Sequence, residues 1–120
     1  MAHQVVWFDI PVKDLDRAIA FYSAVLGTPV QKQEFPGVAI GMLPHGDGDV
    51  SGSLSVTEEN RPSDHGPMLY LNCQGRLDEA VAAVAGNGGK VAQEKEAIGP
   101  YGWRAIIHDS EGNRIALHSM

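Results

Sequence analysis

The order of elements in this 120-residue chain is written twice, and that repetition narrows its possible architectures more than any single motif does. The stretch Val5-Val6-Trp7-Phe8-Asp9-Ile10-Pro11 is short, rich in β-branched and aromatic residues and stopped by proline. It predicts a strand with Val5, Trp7 and Asp9 on one face and Val6, Phe8 and Ile10 on the other. Asp14 then suits the cap of a helix in which Leu15, Ala18, Ile19, Tyr22, Val25 and Leu26 form one apolar stripe, and Gly27 suits a left-handed stop. Short apolar runs over 30–35, 38–43 and 53–56 follow, parted by Pro36-Gly37 and by the turn-rich His45-Gly46-Asp47-Gly48-Asp49. Residues 57–66 carry no apolar period and read as an exposed connector. Beyond it comes a strand over 68–73, a helix with Leu77, Ala80, Val81 and Val84 on one stripe, and the stop Gly86-Asn87-Gly88-Gly89. Strands over 90–95, 103–108 and 114–118 complete the second half, the last two joined by Asp109-Ser110-Glu111-Gly112-Asn113, a hairpin-turn composition. Leu15-Asp16 falls on Leu77-Asp78, and at the same offset Ala18-Ile19-Ala20 falls on Ala80-Val81-Ala82. The expectation is one α+β domain of two βαβββ modules, about 4–56 and 67–119.

The totals exclude several classes. A chain of this length has room for one core, not two independent ones. Nine Lys and Arg against fifteen Asp and Glu leave a net charge of −6, which repels phosphate backbones and anionic lipid, so neither nucleic acid nor a membrane surface is an expected partner. No apolar run approaches the roughly 20 residues that span a bilayer. The single cysteine, Cys73, has no disulfide partner in the chain and reads as a packed core thiol. The start Met1-Ala2-His3-Gln4 lacks the charged and apolar regions of a secretory leader, so the expected setting is cytoplasmic.

Three fragments carry a family resemblance: Val12-Lys13-Asp14-Leu15-Asp16-Arg17-Ala18-Ile19-Ala20-Phe21-Tyr22 with Val25-Leu26-Gly27 after it, Gly99-Pro100-Tyr101-Gly102-Trp103-Arg104, and the run from Asp109 to Ser119. In this order around a duplicated βαβββ pattern they resemble the vicinal oxygen chelate superfamily, which includes glyoxalase I, extradiol dioxygenases, fosfomycin-resistance enzymes and bleomycin-binding proteins. The resemblance implies an incomplete mixed-sheet barrel whose concave face holds a small-molecule ligand. It also implies a homodimer, with each barrel closed either within one chain or across two.

Catalytic members of that superfamily bind a divalent ion with side chains on the first and fourth strands of each module. By that resemblance the positions fall here on Trp7, on Gly52 or Ser53, on Met68 and on Ala116. None offers an imidazole or a carboxylate: Trp cannot coordinate, Met is a soft ligand and Ala has no donor. No cofactor is therefore expected. A displaced metal site built on His118 and His3 is the alternative, although His3 stands four residues from Trp7, roughly 13 Å along an extended strand. His45, His65 and His108 fall in or beside loops and read as solvated.

Without a metal, the same faces describe a cavity for a mostly apolar molecule. Trp7, Met68 and Ala116 form its centre, Tyr70 and Asp9 add a hydroxyl and a carboxylate, and either Trp103 or Arg104 adds stacking or anion binding. His118 is a candidate general base or a frayed terminal histidine. Gly99-Pro100-Tyr101-Gly102 either folds over a ligand or packs as a tight turn on the rim. Three functions compete: a metal-free binding protein, a metal-dependent lyase, isomerase or dioxygenase using a displaced site, and a structural dimer with a filled barrel.

Overall fold

A computed structural model of the chain describes residues 3–120. The strand β1 (Trp7–Pro11) leads through Asp14 into α1 (Leu15–Leu26), whose N-terminus is capped by the Asp14 carboxylate accepting from the Arg17 N–H at 3.0 Å. Gly27 ends α1 at φ 71°, a conformation that favours glycine. The strands β2 (Gln31–Phe35), β3 (Val38–Met42) and β4 (Ser51–Ser55) follow, and β4 returns to lie parallel to β1, giving the sheet order β1-β4-β3-β2. The second half builds the same sheet. β5 (Tyr70–Asn72), α2 (Leu77–Gly86), β6 (Lys90–Ala97), β7 (Trp103–His108) and β8 (Arg114–Ser119) assemble in the order β5-β8-β7-β6, with β5 and β8 parallel. The repeated order predicted from the sequence is thus present as two four-stranded mixed sheets. They are not joined by strand pairing into a closed barrel.

Strand alternation decides which face of each sheet is covered. Ile10, Leu54, Leu71, Ile107, Ile115 and Leu117 point toward the helices and meet Phe21, Tyr22, Val25, Ala80 and Val84 in one core that draws on both modules. Cys73 belongs to it, and burial pushes its thiol pKa up, so it packs as the sequence suggested. Helix α1 packs against α2, which leaves the opposite faces of both sheets without a helix.

A polar clamp reinforces that junction. The Asp109–Asn113 turn between β7 and β8 reaches across to the start of α1. There the Glu111 carboxylate accepts from the Lys13 and Asp14 N–H groups at 2.8 and 2.9 Å and from the Arg17 guanidinium at 2.7 and 2.8 Å. Asp109 is buried and accepts from the Tyr22 hydroxyl at 2.5 Å, from the Glu111 and Asn113 N–H groups, and from the Asn113 amide. Asn113 in turn donates to the Pro11 carbonyl at 2.8 Å. Sequence composition predicted a hairpin turn here, and the turn also anchors the two residues that lead into the helix of the other module.

Candidate functional site

The helix-free face of the first sheet carries Trp7 and Asp9 from β1. Strand register places Trp7 opposite Ser51 and Asp9 opposite Ser53, so Ser53 shares this face, whereas Gly52 faces the helix side against Phe8. Of the two fourth-strand candidates, Gly52 and Ser53, it is Ser53 that shares the face of Trp7 and Asp9. The Asp9 carboxylate, inside a strand of apolar neighbours, is exposed and accepts from Trp7 Nε1 at 3.2 Å and Ser53 Oγ at 3.0 Å.

On the second sheet the register builds two rows, Tyr70–Ala116–Ile106 and Asn72–His118–Arg104, both on the helix-free face. Arg104 donates to the Tyr70 hydroxyl through Nη1 and to Glu96 through Nε at 3.1 Å. Because β8 lies between β5 and β7, the bond from Arg104 to Tyr70 passes over β8, and Ala116 beneath it is fully buried. Ala116 consequently lines no open space, contrary to the sequence expectation. His118 Nε2 lies 2.6 Å from the Tyr101 carbonyl, which only accepts, so this nitrogen carries the proton and ties down the short 3₁₀ turn Gly99–Tyr101. The Tyr101 ring stays largely exposed instead of packing on the rim.

The sequence left Trp103 and Arg104 as alternatives, and alternation separates them. Arg104 joins Tyr70 and His118, while Trp103 turns to the α2 side, where the Lys95 ammonium lies 5.4 Å from its ring and also bridges Asp78 of α2 at 3.0 Å. Trp103 is thus parted from the other candidates. Met68 lies two residues before β5, which begins only at Tyr70, and its sulfur receives a 3.6 Å contact from the Arg114 guanidinium.

Asp9 and Met68 meet at a groove of about 250 Å³ between β1, the end of the connector and the start of β8. Phe8, Ile10, Leu69 and Ile115 supply its apolar surface, and Arg61, Asp64 and Arg114 its charges. The connector, read from sequence as merely exposed, forms one wall. Neither Arg61 nor Arg114 was singled out in the sequence, since no period or motif marks an isolated arginine in a loop or at a strand start. A second hollow of about 410 Å³ lies by Phe8, Ser51 and Tyr70 and carries no charged side chain.

The positions that the family resemblance assigns to metal ligands, now Trp7, Ser53, Met68 and Ala116, provide a ring N–H already given to Asp9, a hydroxyl, a thioether and a buried methyl. They do not suit a divalent cation. Among the described residues no group of three or more His, Cys, Asp or Glu side chains is placed to hold one.

Residues 4–117 match the Glyoxalase/Bleomycin resistance protein/Dioxygenase superfamily. The chain belongs to that superfamily. This glyoxalase-superfamily chain is 31% identical to a glyoxylase-like domain-containing protein of Didymella fabae, over 95% of its own length and 91% of that protein. Its fold is shared with a glyoxalase/bleomycin resistance protein from Albidiferax ferrireducens T118, with a TM-score of 0.73, 23% identity and coverage of 98% and 100% of the two chains. It is likewise shared with the trypanothione-dependent glyoxalase I of Leishmania major, with a TM-score of 0.68, 22% identity and coverage of 98% and 87%. No helix among the described residues is long and apolar enough to cross a membrane.

Proposed function

We propose that this glyoxalase-superfamily protein binds a small, mostly apolar organic ligand at the junction of its modules and does so without a divalent metal. The observation that carries the reading is the groove itself, apolar along Phe8, Ile10, Met68, Leu69 and Ile115 with a few polar groups at its margin, in a chain whose inherited metal positions hold poor donors. Without a Lewis acid at those positions, a proton abstraction beside a carbonyl lacks the usual stabiliser of its oxyanion, which favours binding over catalysis. The exposed Trp7, Phe35, Val38 and Tyr70 on the helix-free faces support a homodimer that covers part of them. Elemental analysis after soaking the protein in Ni, Zn, Mn or Fe salts and desalting tests the reading. The expected metal content is far below one ion per chain. A stoichiometric content of any of these ions would overturn it in favour of a displaced metal site and a metal-dependent lyase, isomerase or dioxygenase.

A further inference from the structure

Of the five arginines, three are spoken for. Arg17 holds Glu111, Arg76 donates to the Val25 carbonyl, and Arg104 holds Glu96 and Tyr70. The other two, Arg61 and Arg114, meet no carboxylate or carbonyl oxygen among the described residues; the hydrogen bond Arg114 makes goes to the weakly accepting Met68 sulfur. Both line the groove between the modules. In a chain with fifteen carboxylates against nine cationic side chains, guanidinium groups left over at the same place are spare donors.

The carboxylates of the groove, unlike these two arginines, each have a partner, taken in both cases on Oδ1. Asp9 already accepts from Trp7 and Ser53, and Asp64 pairs with His65 at 2.6 Å. The Asn113 amide is likewise committed, its nitrogen to Pro11 and Asp109 and its oxygen to the Ser63 N–H. At the rim the spare charged donors are therefore the two guanidinium groups, each able to present a fork of N–H donors to a planar anion, with the Asn60 and Ser63 side chains beside them. Below them the groove is apolar along Phe8, Met68 and Leu69, with the buried Ile10 and Ile115 beneath.

We infer that the groove is an acid-binding site, taking a small organic carboxylate whose anionic head lies between Arg61 and Arg114 and whose hydrocarbon body lies on Phe8, Met68 and Leu69. The inference rests on the proposed ligand-binding function and names the chemical class of that ligand.

The test uses 4-phenylbutanoate and its neutral amide as matched probes. Titrations of the ¹⁵N-labelled chain followed by NMR locate binding, and calorimetry measures it at low and high salt. The expected result is that both probes shift the amide signals of Leu69 and Ile115. The acid should bind about tenfold or more tightly than the amide at low salt, since a charge-assisted hydrogen bond is the difference between them. Arg61→Gln and Arg114→Gln should each shrink that preference, and Arg114→Lys should restore part of it. Both sites are exposed, and the amide spectrum of each variant verifies its fold. Equal binding of acid and amide in the groove overturns the inference and leaves the binding function standing. A preference that survives in both glutamine variants overturns the assignment to these arginines. Failure of both probes to move the groove signals overturns the binding function as well.

Discussion

Glu111 shows how much one side chain can carry. Burial alone would raise its carboxyl pKa, but bonds from Arg17, Ser110 and the Asp14 and Lys13 backbone outweigh that and hold it at about 2, below the ordinary 4.5. A pKa lower in the folded than in the unfolded state gives stability that is complete above the unfolded value and is lost as acid protonates the folded carboxyl. Because Arg17 is half exposed, solvent screening trims the contribution to roughly 1–2 kcal/mol. Wild type is therefore expected to be more stable than Glu111→Gln at neutral pH, with the gap closing as pH falls from 4.5 toward 2. Urea unfolding of both proteins across that range measures it, and a pH-independent gap would contradict the assignment. Tyr22 belongs to the same clamp from the core side. Its hydroxyl is buried and points at the Asp109 carboxylate, and these two effects push its pKa well above 10.

At the scale of elements, glycine positions separate two kinds of turn. Gly102 has φ 96°, and a side chain there would collide with the backbone of Ser119 and Met120 at the end of β8. Gly37, in the β2–β3 hairpin, has φ 80° with open space around it. Gly37→Ala is expected to cost about 1 kcal/mol from backbone strain alone, and Gly102→Ala about 3 kcal/mol or more, because the strand end must also move. Thermal melts of the two variants give the comparison; similar losses would mean the collision is relieved cheaply. Most elements were legible in the sequence because their signals are local: the stripe from Leu15 to Leu26, the stop at Gly27 and the alternation through β7 all depend on residues a few places apart. The first strand is shorter than predicted, beginning at Trp7, and β5 begins at Tyr70 instead of Met68. The site was less legible because its members depend on facing between distant strands. Alternation allowed either Trp103 or Arg104 to point inward until the pairing with β8 was known, and burial of Ala116 depends on a bond that crosses a strand from outside it. Arg61 and Arg114 gain meaning only from a groove assembled by segments some fifty residues apart.

For the whole molecule, the shared core and the clamp predict that the two modules unfold as one unit. The chain carries one tryptophan in each module, Trp7 and Trp103, which makes the expectation measurable. Trp7→Phe and Trp103→Phe leave a single fluorophore reporting on one half. Urea transitions followed by the remaining tryptophan and by circular dichroism are expected to coincide within each variant. Separated midpoints would mean that one module outlives the other. The clamp also has a consequence in time. The donors at the start of α1, Lys13 and Asp14, are served by a carboxylate 98 and 97 positions later in the chain. During synthesis the first module emerges with its helix entrance half-finished, and Glu111 of the second module completes it. The clamp therefore forms only once Glu111 has been made and has left the ribosome, so the first module cannot complete its native contacts ahead of the second.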